Sequence, residues 1–417
     1  MAGKKQPAPT NKPSSSSKGG GAGKLTTRNQ KPQQTTTESS SEEEDLLRRQ
    51  QTLLNIFSNT FRSVLEADDF ASQLQELKGA LFARDFEGAF AHEAALDVYA
   101  ARWSPTRALC YARILSGLET HLRDLVGENE TGVREGGGDE CETTARDEEA
   151  TEEEALAEQK GDSNTGGESK TLKILAIGGA AAEIVAFADY ISSHTTMVHG
   201  EITLLDIGPW GTIISRLENA LTSTPPISQY ASAAAKASNS ALVPPSRLRS
   251  TFIQKDILSL PSTDFANLIP ENEPILITLL FTLNELYTAG GIKRTTTFLR
   301  HLSSSNVNLA PGSLLLVVDS PGSYSEAAVG GKDKKRYPMQ WLLEHTLIPP
   351  PPSRRKKADT KEEEEEEGDK QEEDSGIRWE KIESHDSVWF RVAEGLRYPI
   401  SLENMRYQMH LYRACVR

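Results

Sequence analysis

Residues 172–184 read Leu-Lys-Ile-Leu-Ala-Ile-Gly-Gly-Ala-Ala-Ala-Glu-Ile. A short run rich in leucine and isoleucine stops at Gly178-Gly179. Small residues follow, and Ile184, Val185, Phe187 and Ala188 continue at helical spacing. This is the pattern of a buried strand, a tight turn and a helix that packs back on the strand. Small side chains suit such a turn because a ligand can approach the backbone, and glycine also reaches positive φ. Alone, the stretch is as compatible with a ligand-free α/β turn as with a nucleotide-type cofactor.

Downstream of it, strands and helices alternate, which predicts a mostly parallel sheet. Strands are expected at 172–177, 201–206, 251–257, 274–281 and 313–319. The segments 378–382, 388–392 and 406–414 have the aromatic and β-branched content of late strands, the last expected to enter antiparallel. Residues 222–249 and 349–376, rich in Pro, Ala, Ser and charge, read as disordered insertions in surface loops, where extra length is tolerated.

Upstream, residues 45–127 differ. Leu46, Leu47, Leu53, Leu54, Phe57, Phe61, Val64 and Leu65 recur at three-to-four spacing, as do Leu115, Leu118, Leu122 and Leu125. Four or five amphipathic helices, forming an accessory domain or a cap, are expected. Ser104-Pro105 is a start signal, with serine as cap and proline at the first position, and Gly127 is a stop. Arg102, Arg107 and Arg113 read as cations on a solvated face, with a phosphate backbone as the alternative partner. Residues 1–44 are a polar tail expected to be disordered; its first 37 residues hold seven basic groups and no acid. A solubilising role, nuclear import and weak RNA contact are all open.

The net charge of −14 does not describe the folded part. Residues 128–170 carry 15 acidic and 4 basic side chains, and residues 353–376 carry 11 and 6, so the remainder is slightly basic. The first of these segments is an extended acidic linker, expected to be disordered. A nucleic-acid surface is therefore not excluded. Cys110, Cys141 and Cys415 form neither a disulfide framework nor a zinc spacing, which fits a reducing compartment. No apolar run has the length of a membrane span, and the N-terminus lacks a secretory core. An intracellular protein with no membrane, metal or DNA partner is expected.

In an open α/β sheet, ligands bind at the carboxyl ends of strands. Gly178 and Gly179 would let the backbone touch a cofactor there. Asp206 could accept hydrogen bonds from ribose hydroxyls, and Asp256 from the exocyclic amine of an adenine. Glu183, just inside the first helix, could bind an amine or orient the loop. A pyrophosphate would want a Gly-x-Gly-x-x-Gly turn. Here Ala180–Ala182 and an acid follow instead. A carboxylate beside two phosphates is unfavourable, whereas one beside an ammonium or sulfonium is favourable. The pattern prefers S-adenosylmethionine to NAD.

The run 174–183 resembles the first motif of class I methyltransferases. More narrowly, Leu-Ile-Thr-Leu-Leu-Phe-Thr-Leu-Asn-Glu-Leu-Tyr (276–287), Asp-Ser-Pro-Gly-Ser-Tyr-Ser-Glu (319–326) and Tyr-Pro-Ile-Ser-Leu-Glu-Asn-Met-Arg-Tyr-Gln-Met-His-Leu-Tyr-Arg (398–413) resemble the fungal 25S ribosomal RNA uridine-N3 methyltransferase family. The resemblance covers most of 45–417. It implies a Rossmann-like α/β fold, a class I methyltransferase sheet with its last strand antiparallel, joined to an N-terminal α-helical domain. It also implies methyl transfer to N3 of a uridine in large-subunit rRNA, within a pre-ribosomal particle, and hence a location in the nucleus (nucleolus), with the cytoplasm as alternative. Ala180 and Ala182 depart from the family's fuller glycine turn.

By the same resemblance Asn284 and Glu285, after strand four, fall where class I methyltransferases contact the target base. Asn284 would bond a base carbonyl and Glu285 would take the N3 proton, or else cap the next segment. Tyr287 or Tyr324 could stack on a flipped base. Lys332, Lys334, Lys335 and Arg336, running into Tyr337 and Trp341, and Arg391 after Trp389-Phe390, are candidates for the RNA face. A non-catalytic methyltransferase-like scaffold and an NAD(P)-dependent oxidoreductase are the other readings.

Overall fold

The computed structural model describes residues 36–90, 92–127, 170–194, 198–304, 307–322, 324–327, 335–348 and 377–416. They fall in two units. Residues 1–45 form one, of which the opening turns of a helix are described; residues 46–417 form the other. The expected tail over 1–35, most of the acidic linker (128–169), Lys332, Lys334 and the insertion at 349–376 lie outside the described residues.

Seven helices precede the sheet among the described residues: α1 (Thr36–Thr60), α2 (Arg62–Leu65), α3 (Phe70–Phe82), α4 (Phe86–Phe90), α5 (Glu93–Arg102), α6 (Ser104–Gly117) and α7 (Glu119–Leu125). The polar tail expected up to 44 is thus helical from Thr36. After them come β1 (Lys170–Ile177), α8 (Ala181–Ser193), β2 (Val198–Asp206), α9 (Gly211–Thr222), α10 (Ala233–Ala237), β3 (Leu248–Gln254), α11 (Ser262–Ala266), β4 (Leu276–Leu280), α12 (Leu283–Glu285), α13 (Gly291–His301) and β5 (Leu314–Asp319). A small hairpin of β6 (Tyr324–Ala327) and β7 (Lys335–Pro338), then α14 (Met339–Leu347), β8 (Ile377–Phe390) and β9 (Met405–Val416), complete the chain.

The seven-stranded sheet runs β3-β2-β1-β4-β5-β9-β8. Its first five strands are parallel, while β9 lies antiparallel to β5 and β8 antiparallel to β9. Alternation along β1 explains its burial on both faces. Leu172, Ile174 and Ala176 enter one core, with α8 and α9; Leu175 and Ile177 enter the other, with α13 and α14. Helix α8 is buried along Ala181–Ile191 because it is covered twice, by the sheet beneath and by α6 above. That is why its sequence is apolar all round rather than amphipathic.

Further expectations change. The separate strands expected at 378–382 and 388–392 are one strand, β8, carried across two bulges through the polar residues between them. Strand β3 starts at Leu248 and stops at Gln254, two residues short of Asp256. The segment 222–249 is no disordered insertion: α10 forms there, Val243 is fully buried, and Asn239 Nδ2 donates to Pro225 O at 2.7 Å. Helix α6 takes Trp103, not Ser104, as its N-cap, with Pro105 in the first turn.

The helical segment is fastened to the loop before β9. Gln51 donates to Arg397 O at 2.9 Å and accepts from the Arg397 N–H at 2.8 Å. The Tyr398 hydroxyl donates to Ala101 O at 2.7 Å, and the buried Arg102 pairs with Glu403. Arg102 is therefore neither solvated nor free for phosphate.

Candidate active site

The carboxyl ends of β1, β2 and β4 open on a cavity of about 910 Å³. Its first wall is the turn after β1. Gly178 sits at φ +67° and donates its N–H to Leu205 O at 2.7 Å. A Cβ added there would fall 2.3 Å from Thr282 Oγ1, and one added at Gly179 would fall 2.5 Å from Ala176 Cβ. The glycines are thus required by protein packing: Gly178 lines the cavity but lets β1 approach the end of β4, and Gly179 does not line it at all. Ala180 lies at φ −146°, outside the left-handed region that favours glycine. Its N–H donates to Glu183 Oε2 at 2.8 Å, so Glu183 orients the loop as half of a capping box. Burial pushes the Glu183 carboxyl up to about 7, against the lowering effect of that bond and of Arg107.

Asp206 ends β2. Its Oδ1 accepts the Gly208 N–H at 2.7 Å and Trp210 Nε1 at 3.2 Å, which fixes the carboxylate at the cavity wall. Burial raises it to about 6 despite those bonds. The next residue, Ile207, leaves 66% of its surface exposed while lining the cavity, an apolar patch beside the carboxylate. Asp256 also lines the cavity, but its carboxylate is in use. It accepts the Leu258 N–H at 2.9 Å and the Ser259 hydroxyl at 2.6 Å, and meets Arg294 at 3.2 Å. It caps the short 3₁₀ turn after β3.

After β4 the chain turns sharply. Phe281 takes φ +60°, with its N–H on Val318 O at 2.7 Å. The Asn284 N–H then donates to Asp319 Oδ2 at 2.9 Å, tying α12 to the end of β5. Glu285 faces the cavity; Asn284 does not line it. Burial lifts the Glu285 carboxyl to about 7, with Arg107 pulling down and Asp206 and Asp319 pushing up.

Five of the candidates therefore meet: Gly178, Glu183, Asp206, Asp256 and Glu285. Tyr287 does not. It is 3% exposed in the core on the face of α13 and α14, and no base can stack on it. Tyr324, Lys335 and Arg336 belong to the β6–β7 hairpin, where Glu326 pairs with Arg336. Arg391 follows β8, its guanidinium 5.3 Å over the Trp389 ring and outside the cavity.

Sequence reasoning missed the roof. Phe90, Tyr99, Ser104 and Arg107 come from the helical segment and line the same cavity. Arg107 is not on a solvated face: its guanidinium lies 5.3 Å over Tyr99 and 5.2 Å over Phe281. The Ser104-Pro105 start signal was the available clue, since it marks a helix end, and helix ends gather at sites.

The donor set fits S-adenosylmethionine. The wall holds four carboxylates (Glu183, Asp206, Asp256 and Glu285) and three cations (Arg107, Lys255 and Arg294). With Arg294 paired to Asp256 and Lys255 to Asp264, the remaining excess of carboxylates favours a sulfonium and an ammonium and disfavours a pyrophosphate. Asp206 can accept ribose hydroxyls beside the apolar Ile207. An Asp206→Ala protein should bind S-adenosylhomocysteine ~10- to 100-fold more weakly by calorimetry, as loss of hydrogen bonds to a charged acceptor implies. Unchanged affinity would take Asp206 out of the cofactor site.

Residues 57–413 match a protein family described as "Putative SAM-dependent methyltransferase". Among curated proteins, the 25S rRNA (uridine(2843)-N(3))-methyltransferase of Saccharomyces cerevisiae is 25% identical over 388 residues, spanning 87% of this chain and 85% of the yeast protein. Among solved structures, the CurJ carbon methyltransferase aligns at 13% identity and a TM-score of 0.23, over 60% of this chain and half of that one. At that score the likeness carries no argument.

Proposed function

Because the chain belongs to this family of S-adenosylmethionine-dependent methyltransferases, we propose that it methylates N3 of a uridine in large-subunit ribosomal RNA. The observation that carries the reading is Glu285. N3 of uridine is an imide nitrogen whose proton must leave before it can accept a methyl group. A carboxyl held near neutrality in the cofactor cavity is suited to take it. When bound, S-adenosylmethionine supplies the electrophilic methyl group. The yeast relative carries the same activity in its name.

An RNA substrate is also supported by the sheet edge. Trp389 is 53% exposed, with Arg391 and Arg406 at 5.3 and 5.7 Å over its ring. Trp389 pairs with Arg406 at the start of β9, and Gln408 nearby pairs with Asp319 at the carboxyl end of β5. The platform thus shares the edge of the sheet on which the cavity opens. Exposed aromatics flanked by guanidinium groups suit stacked bases and phosphates. The reading places the protein on pre-ribosomal particles, in the nucleus.

Mass spectrometry of nucleosides from large-subunit rRNA of a strain lacking the protein tests this. One 3-methyluridine should disappear, return with the wild-type chain and stay absent with Glu285→Gln. An unchanged 3-methyluridine content would overturn the proposal.

A further inference from the structure

Arg107 comes from α6, outside the sheet whose strand ends build the cavity, yet it lines that cavity beside Glu285. It is held from two sides. Tyr99 and Phe281 present their rings at 5.3 and 5.2 Å, and Nη1 donates to the Tyr99 hydroxyl. Phe281 keeps this place at φ +60°, a conformation costly for an aromatic residue, and stacks in turn on Tyr111 at 6.3 Å. Arg49, Arg102, Arg216 and Arg294 each close an ion pair with a carboxylate. Among the described residues no carboxylate does so with Arg107. A strained support for a cation without a contacting counter-charge points to an anion that arrives in the cavity.

We propose that Arg107 is a catalytic residue that carries the negative charge of the uracil ring once N3 has lost its proton. The inference rests on the uridine-N3 reading above. In the step it serves, the N3–H bond breaks and the proton passes to a carboxylate oxygen of Glu285. The electron pair stays on the ring, shared by N3, O2 and O4. The planar guanidinium faces a carbonyl oxygen on which that charge collects, a donor preorganised by its two flanking rings. The competing anion is the carboxylate of the cofactor's methionine. One observation favours the base: Phe281, whose ring supports the guanidinium, and Glu285 both belong to the segment after β4.

The test uses the full-length enzyme, saturating S-adenosylmethionine and a large-subunit rRNA fragment, with 3-methyluridine measured in single turnover. Wild-type protein that forms none overturns the underlying reading and this proposal together, before any variant is compared. With wild-type product formed, Arg107→Met should slow the step ~10²- to 10³-fold. Arg107→Lys should recover part of the loss. Calorimetric affinity for S-adenosylhomocysteine should stay within about twofold of wild type.

The pH profile separates chemistry from structure. Glu285 faces Arg107 on α6, Asp206 at the end of β2 and Asp319 at the end of β5, and Arg107 is the charge that lowers its carboxyl. In Arg107→Met the rise of rate with pH should therefore move to higher pH. Lost cofactor affinity with normal turnover at saturation would assign Arg107 to the methionine carboxylate and overturn the proposal. A slow variant with an unmoved pH limb would make the residue structural, with the same result.

Discussion

A Glu285→Gln enzyme should bind S-adenosylhomocysteine as the wild type does and turn over ~10²- to 10⁴-fold more slowly, the range expected when a general base is removed. The amide keeps the shape of the side chain and its place in the cavity wall but cannot take a proton. The wild-type profile gives the sign independently. Burial raises the Glu285 carboxyl to about 7, so it is largely protonated and inactive as a base below that pH, and ionised above it. Turnover should climb as pH rises through about 7 and then level. The glutamine variant should lack this limb. Full turnover by Glu285→Gln at saturating RNA would reduce the residue to a helix-terminal acid.

The second large effect is on stability. Gly178→Ala places an L residue at φ +67° and drives its Cβ to 2.3 Å from the Thr282 side chain. The backbone conformation costs ~1–2 kcal/mol, and the overpacking adds ~1–3 kcal/mol. A loss of this size is a large part of the ~5–15 kcal/mol by which domains are stable. Thermal denaturation should show a drop of several degrees or failure to fold. Gly312→Ala is the control, since Gly312 is also left-handed (φ +88°) but has nothing within 4 Å of an added Cβ. It should show the conformational part alone. Equal melting of the two variants would mean that the turn after β1 relaxes away from Thr282.

What the sequence made legible follows from how local each signal is. Strand β1, its turn and α8 could be read because burial on both faces leaves an uninterrupted apolar run beside glycines. Asp206 could be read because β2 ends abruptly at an acid. The end of β3 was less legible: Ile257 and Leu258 follow Lys255 and Asp256, yet pairing with β2 stops at Gln254. Tyr287 misled because an aromatic after a strand looks alike whether it faces a ligand or the far core. Arg107 and Phe281 carry no local mark. Their role exists only once α6 lies across α8, and helical periodicity gives the face a helix buries, not the element it buries against. The polar stretch between Ile382 and Val388 hid β8 because bulges break the alternation that identifies a strand.

The first half of the motif at 398–413, with Arg397 just before it, is the fastening of the helical segment: Arg397, Tyr398 and Glu403 hold Gln51, Ala101 and Arg102. These partners are separated by 346, 297 and 301 residues. During synthesis the chain emerges from its N-terminus, so the helices that roof the cavity are made before the sheet and their last contacts arrive about 300 residues later. Contacts this distant in sequence delay folding because the loop must close before they contribute. Until then Arg102 lacks its counter-charge and the sheet lacks its two antiparallel strands. The roof of the site is therefore translated before the sheet beneath it and among the last parts completed, so a chain cut short before residue 397 lacks the means to close its own active site.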